Sequence, residues 1–150
     1  MSYFSIDSPD YISAEELAAM LRRASVIATS NGEQQDREVV VVDVRDEDRA
    51  ELGYIVGSQH VPSDVFSECV DELAEQYACT NAIIVFHCMY SQVRGPSCAR
   101  LFLNRLQNLQ SENEHVAGEA NVQVYVLEGG FRAFLQLHRQ AKEDDLVQLY

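Results

Sequence analysis

Residues Val39 to Val44 read Val-Val-Val-Val-Asp-Val, and this run limits the fold more than any other stretch. β-Branched side chains favour extended backbone, and neighbours in a strand point to opposite faces. Four consecutive valines therefore require a strand that is covered on both faces. Ala82 to Phe86 (Ala-Ile-Ile-Val-Phe) is a second fully apolar run, and Val122 to Leu127 reads as a third core strand. Between them the period changes. From Asp64 to about Ala78, Phe66, Val70, Leu73 and Tyr77 recur at three- and four-residue intervals, the mark of an amphipathic helix. Gly95-Pro96 opens another helix, with Pro96 near its first position and Cys98, Leu101, Phe102, Leu106 and Leu109 as its buried stripe. A short helix from Phe131 to about Gln140 follows Gly129-Gly130. Strands alternating with helices predict an α/β fold of three layers, a central mainly parallel sheet flanked by helices. Ligands of such sheets bind beyond the carboxyl ends of the strands.

The remaining segments fit that frame. Tyr11-Ile12 is a short extended piece that enters a helix through Ser13-Ala14-Glu15-Glu16, a capping box, with Leu17, Met20 and Leu21 on its apolar side. Thr29 to Glu38 and Gln110 to Asn121 are polar and aperiodic, hence loops. Arg45 to Glu51 is a charged turn, and Gly53 to Gly57, continuing to Val61-Pro62, is one more extended piece. With 150 residues, of which 47% are hydrophobic, the chain is expected to form a single domain over residues 1–150.

Charge narrows the partners. The net charge of −13 argues against nucleic acid and anionic membrane surfaces. No run approaches the length of a membrane span, and the opening residues lack the basic and apolar regions of a secretion signal. A cytoplasmic or nuclear location is expected, with Cys69, Cys79, Cys88 and Cys98 as reduced thiols, since none has C-x-x-C spacing. The acids are unevenly placed: none lies between Glu75 and Glu112. That window carries +3 from Arg94, Arg100 and Arg105, against −16 on the rest. Composition alone admits two explanations, a buried strand with a packed helix, or a site for an anion.

The stretch His87-Cys-Met-Tyr-Ser-Gln-Val-Arg-Gly-Pro96 favours the second. A cysteine leaves a buried strand, five residues follow, and an arginine stands at a helix start. A loop in that setting aims backbone N–H groups at one point, and the helix dipole adds partial positive charge. The same field favours thiolate over thiol at Cys88. Arg94 offers a planar fork for two oxygens of a tetrahedral oxyanion.

This loop resembles the active-site loop of the rhodanese-fold phosphatases typified by the cell-division-cycle dual-specificity phosphatases, and of the related eukaryotic arsenate reductases. Val42-Asp-Val-Arg45, Gly53-Tyr-Ile-Val-Gly-Ser58 and Val126-Leu-Glu-Gly-Gly-Phe131 resemble the rhodanese-domain signatures, so the likeness spans most of the chain. It is strongest to small stand-alone fungal and plant members. The resemblance implies a rhodanese-like domain with Cys88 as nucleophile, Arg94 as oxyanion clamp, and the amides of Met89, Tyr90, Ser91, Gln92, Val93 and Arg94 as the cradle. Ser91 has two readings, a hydroxyl donated to the thiolate or a backbone bond that holds the loop. His87 is expected to order the loop by hydrogen bonds, and Gly95 takes the place of a Ser or Thr found in the broader tyrosine phosphatases. Candidates for the general acid are Asp46, Glu47, Asp48 and Glu128. Asp43 and Arg45 are expected to form a structural pair. Val44 stands where many members carry a cysteine able to protect the nucleophile as a disulfide, and Cys69, Cys79 and Cys98 are read as core or surface residues.

The implied activity is a Cys-dependent phosphatase of the protein tyrosine or dual-specificity type. An arsenate reductase using the same thiolate with glutathione and glutaredoxin is the alternative. A thiosulfate or mercaptopyruvate sulfurtransferase ranks third, because sulfurtransferases of this fold carry a loop one residue shorter. A module that only binds a phosphorylated partner would not need the thiol. No cofactor is expected beyond external glutathione, and no metal, since no Cys/His cluster has ligand spacing. The expected partners are a phosphorylated protein or a small phosphate or arsenate oxyanion, and the sequence gives no oligomeric state.

Overall fold

The valine run becomes the second strand of a five-stranded parallel sheet, and its period of two divides the interior. In a computed structural model of the chain, which describes residues 9–30, 37–50, 52–112, 121–141 and 146–149, the elements follow in order. They are β1 (Asp10–Ile12), α1 (Ala14–Ser30), β2 (Val39–Asp43), β3 (Tyr54–Ile55), β4 (Gln59–His60), α2 (Phe66–Tyr77), β5 (Ile83–His87), α3 (Arg94–Glu112), β6 (Gln123–Leu127), α4 (Gly130–Ala141) and β7 (Val147–Gln148). Short 3₁₀ turns occupy Glu47–Ala50 and Ser63–Val65. The main sheet has the order β1-β6-β5-β2-β4, with every pair parallel.

Val40 and Val42 project into one core with Ile84, Phe86, Phe66, Leu73 and Phe102, beneath α2 and α3. Val41 projects into the other with Val85, Leu17, Phe131 and Phe134, beneath α1 and α4. Four helices thus cover both faces, and the unbroken apolar reading of β2 and β5 follows from their place at the centre of three layers. The Ser13–Glu16 capping box forms as expected, each backbone N–H donating to the other's side chain at 2.9 and 3.0 Å.

The middle of the chain departs from the expected single extended piece. Gly57, at φ 85°, turns the backbone, and the stretch splits. β3 leaves the main sheet to pair antiparallel with β7, while β4 joins the edge beside β2. β7 lies in the acidic tail, where no strand is anticipated from the sequence. Helix α1 continues to Ser30 and α3 to Glu112, each slightly past the expected loop boundary. Residues 31–36 and 113–120 of the two expected loops lie outside the described residues, as do the opening residues 1–8, Glu51, and residues 142–145 and 150 of the tail.

At the carboxyl end of β2 a carboxylate and a guanidinium are fully buried together. Arg45 donates from Nε and Nη2 to Asp43 at 3.0 and 2.7 Å, and from Nη2 to the Gly53 carbonyl at 2.9 Å. Its guanidinium carbon lies 4.1 Å from the ring centre of Phe131. Burial pushes the Asp43 carboxyl up, yet the hydrogen bonds and charge of Arg45 bring it below the usual carboxylate value. Asp43→Asn strands the arginine charge and should cost about 3–5 kcal/mol, whereas Asp43→Asn combined with Arg45→Met should recover much of that loss. Urea denaturation of the three proteins checks it.

Candidate active site

β5 is the central strand, so the chain must leave the sheet at His87 with helices packed on both sides. Cys88 follows at once and is buried. The loop then turns sharply through Ser91, a non-glycine residue at φ 57°, and Arg94 begins α3. Two backbone donors converge on the Cys88 sulfur: the N–H groups of Ser91 and Gly95, each 3.2 Å from Sγ. Gly95 lies in the first turn of α3, so the helix dipole points its positive end at the sulfur. A Cβ at position 95 would lie 3.4 Å from the Cys88 nitrogen and His87 Cα, in close contact with the loop backbone.

The loop's carbonyls face the other way. Phe131 N–H donates to Cys88 O and Arg132 N–H to Met89 O, both at 3.0 Å. The start of α4 thus holds the first two carbonyls of the loop. Gly130, at φ 64°, makes this approach possible: a Cβ there would fall 2.5 Å from Met89 O and 2.7 Å from Cys88 O. The Met89 side chain is buried with the core beneath α1 and α4, while Tyr90, Gln92 and Val93 are exposed at the rim.

His87 supports the same carbonyl. Its Nδ1–H donates to Cys88 O at 3.1 Å, and Nε2 lies 3.9 Å from Asp43 Oδ2 without a hydrogen-bond partner among the described residues. Burial drives its pKa below the ordinary imidazole value, and the attraction of Asp43 opposes this without reversing it. Of the two readings of Ser91, the hydroxyl makes neither bond. Oγ is buried without a partner among the described residues, and the backbone N–H reaches the sulfur instead.

Arg94 stands at the loop's end, but its fork is engaged. Nη1 and Nη2 donate to Asp48 Oδ1 and Oδ2 at 3.0 and 2.8 Å, and Nη1 also to Asp46 Oδ2 at 3.2 Å. These bonds, that of Asp48 foremost, raise the Arg94 pKa further above its ordinary value. Asp48 is lowered chiefly by the Arg94 hydrogen bond, against burial. Burial raises Asp46, but hydrogen bonds from Ser63, the Asp64 amide and Arg94 outweigh it and lower the carboxyl. Both are therefore carboxylates at neutral pH, without the proton a general acid must donate. Glu47 is exposed. Glu128 lines a separate groove with Ser13, Glu15 and Gln136, between the starts of α1 and α4. The four general-acid candidates thus divide into two arginine partners, one exposed side chain and one member of another groove.

All four cysteines are free thiols. Cys98 is buried behind the loop, and burial, with the neighbouring charge of Cys88, pushes its pKa up to about 12. Cys69 is half-buried and Cys79 exposed.

The Rhodanese-like domain pattern matches residues 13–137. The chain belongs to the rhodanese-like family. It is 40% identical over 124 residues to arsenate reductase 2.2 of Oryza sativa, covering 83% of this chain and 80% of the relative. It is 34% identical over 127 residues to the dual specificity phosphatase Cdc25 of Arabidopsis thaliana, covering 85% and 73%. Among solved structures, Saccharomyces cerevisiae Ygr203w, described as a homolog of single-domain rhodanese and the Cdc25 phosphatase catalytic domain, superimposes with a TM-score of 0.64 at 27% identity, over 98% of this chain and 91% of that one. This rhodanese-like chain therefore has relatives that bear two enzyme names, arsenate reductase and dual specificity phosphatase.

Two features of the site escape sequence reasoning. The docking of α4 on the loop is signalled only by Gly129-Gly130, and the carbonyls that Gly130 meets, those of Cys88 and Met89, are more than 40 residues away in the chain. The hold of Asp46 and Asp48 on Arg94 needs the knowledge that β2 and β5 are neighbours.

Two outcomes follow for the loop. Gly130→Ala should slow alkylation of Cys88 by iodoacetamide about tenfold or more, as expected when hydrogen bonds of about 1.5–3 kcal/mol to a charged acceptor are disturbed. Gly57→Ala, with the same left-handed backbone but nothing within 4 Å of a Cβ, should leave that rate unchanged. For His87, the folded protein holds the ring neutral while the unfolded ring takes up a proton near its ordinary value of 6.5. Stability should therefore fall as the pH drops below that value, and His87→Gln should flatten the slope over the range just below it. Urea midpoints across that range measure it.

Proposed function

We propose that this protein is a cysteine-dependent hydrolase of phosphate monoesters. The observation that carries the reading is the Cys88 sulfur at the floor of a loop, met by two backbone N–H groups at 3.2 Å where α3 begins. Such donors stabilise negative charge on sulfur and are placed to do the same for oxygens bound above it. In the proposed reaction the thiolate attacks phosphorus in line and the ester P–O bond breaks. The loop amides and Arg94 carry the equatorial oxygens, and water then cleaves the S–P bond to release phosphate and thiolate. Among the described residues, no carboxyl at the loop is poised to hold a proton for the departing oxygen. The reading therefore favours esters of acidic alcohols, aryl phosphates above alkyl phosphates.

The same observation favours a second reading, reduction of arsenate, in which the departing group is arsenate's own hydroxyl, leaving as water with a proton taken from solvent, rather than an alkoxide. There the thiolate forms an S–As bond, and glutathione attacks the Cys88 sulfur. Arsenic takes two electrons and departs as arsenite, leaving a Cys88–glutathione disulfide. A second thiol, from glutathione or glutaredoxin, restores Cys88. The rice relative bears the arsenate reductase name and the Arabidopsis relative the phosphatase name, which supports both readings. The cytoplasm or nucleus is the proposed location; among the described residues no helix is long and apolar enough to cross a membrane.

Wild type, Cys88→Ser and Arg94→Lys should be assayed on 4-nitrophenyl phosphate and on arsenate with glutathione and glutaredoxin. Hydrolysis by wild type, abolished in Cys88→Ser and reduced about 10²–10³-fold in Arg94→Lys, is the expected result. Arsenate reduction without hydrolysis would replace the first reading by the second. Turnover that survives in Cys88→Ser would sink both, and cyanide-dependent consumption of thiosulfate would restore the sulfurtransferase.

A further inference from the structure

A guanidinium carries five N–H bonds arranged along three edges. In Arg94 both Nη1 hydrogens and one Nη2 hydrogen are spent on Asp48 and Asp46. What remains is Nε–H and the second Nη2–H, and these two lie side by side on one edge. Among the described residues, neither has an acceptor. The edge that is held and the edge that is left are therefore different, and each can make a bidentate pair.

The carboxylates that hold the outer edge are themselves fixed. Asp46 Oδ2 accepts from Ser63 Oγ at 2.6 Å, and Oδ1 from the Asp64 N–H at 3.1 Å. Asp48 Oδ1 accepts from the Asp46 N–H at 2.9 Å. Both side chains belong to the tight turn that leaves β2, and β2 is hydrogen-bonded to β5, the strand that ends in Cys88. A surface ion pair between long, mobile side chains would not need this bracing. Asp46 and Asp48 are short and braced, Asp46 by Ser63 and the Asp64 amide and Asp48 by the amide of Asp46.

We propose that Asp46 and Asp48 are positioning residues that grip the outer edge of Arg94 and present its Nε–Nη2 edge to an oxyanion in the Cys88 loop. The proposal rests on the reading that the loop binds a tetrahedral oxyanion. It replaces a proton-donating role for these two aspartates by an orienting one. It also settles the sign of an otherwise ambiguous arrangement, because carboxylates beside an anion site repel the ligand by simple Coulomb interaction. If Asp48 only repels or competes, removing its charge tightens anion binding. If Asp48 orients the clamp, removing it weakens binding in spite of the gain in charge.

The test uses the full chain and tungstate, a tetrahedral dianion that cannot turn over, with affinity read by calorimetry and by protection of Cys88 from iodoacetamide. Asp48→Asn should weaken tungstate about tenfold, the lower end of what loss of a supporting residue costs a site. Asp46→Asn, which leaves the bidentate pair intact, should weaken it less and serves as the measurement if Asp48→Asn does not fold. Glu47→Gln removes a charge from the same turn but lies exposed and makes no bond to Arg94 among the described residues, and should leave affinity unchanged or slightly tighter. In an Arg94→Lys background the loss due to Asp48→Asn should vanish, because lysine has no second edge to orient, and this coupling separates positioning from general loosening. Unchanged or tighter binding in Asp48→Asn overturns the proposal alone. Absence of tungstate binding by wild type overturns the oxyanion reading of the loop and the proposal with it.

Discussion

The carbonyl oxygen of Cys88 accepts two hydrogen bonds, one from Phe131 N–H and one from His87 Nδ1, and the direction it faces decides what the loop can do. A peptide unit is planar, so a carbonyl drawn toward α4 turns the following N–H the opposite way. With Cys88 O and Met89 O both held by the first turn of α4, the next amides curl inward, and those of Ser91 and Gly95 reach the sulfur. Ser91 is held in left-handed backbone for this geometry. The strain of such a residue, on the order of 1–3 kcal/mol, is offset by the surrounding bonds.

Beneath the loop, charge is handled in two tiers that share one segment. The deeper tier is Asp43 with Arg45, joined by Arg49 at 3.1 Å and flanked by His87. The outer tier is Asp46 and Asp48 with Arg94. Five of the six charged residues from Asp43 to Arg49, all but Glu47, thus serve the support of the loop or its arginine. The deep pair ties β2 to Gly53 and to Phe131 of α4, so the helix that holds the loop carbonyls is itself seated on the buried arginine. Replacing Asp43 disturbs this seat before it disturbs the chemistry.

The valine and isoleucine runs and the three-residue helical periods made the sheet, its helices and the place of the Cys88 loop legible in the sequence, because burial on both faces leaves an unambiguous mark on a strand. The Asp43–Arg45 pair was equally legible from its position at the end of such a run. β7 was not, since Val147 and Gln148 form a two-residue edge whose stability comes from β3, and a strand that short carries no period. The same limit hid the split between β3 and β4, which turns on Gly57. At the site, the cysteine and arginine announce themselves by spacing, but their partners come from the turn after β2 and the start of α4. Contacts across a sheet leave no trace in local pattern. Asp46 and Asp48 therefore read as candidate acids, although their neighbour holds them as carboxylates.

The uneven charge of the chain takes on a different meaning once the ion pairs are placed. The acid-free window carries three arginines, yet Arg94 is bound to two aspartates and Arg105 to Asp71 at 2.8 Å. Two of the three positive charges are thus balanced by acids from outside the window, and the +3 of the sequence does not survive as a positive field at the loop. Binding of an anion must then come from oriented N–H groups at contact distance. Hydrogen bonds of this kind are short-ranged and strongly directional. They act on the oxyanion itself and contribute little to what lies farther along a substrate. A compact dianion gains the full set of contacts, while an extended acidic polypeptide meets carboxylates around the mouth, screened only beyond about 8 Å at physiological salt. On the proposed reading, the arrangement therefore selects by the shape and charge of the tetrahedral group.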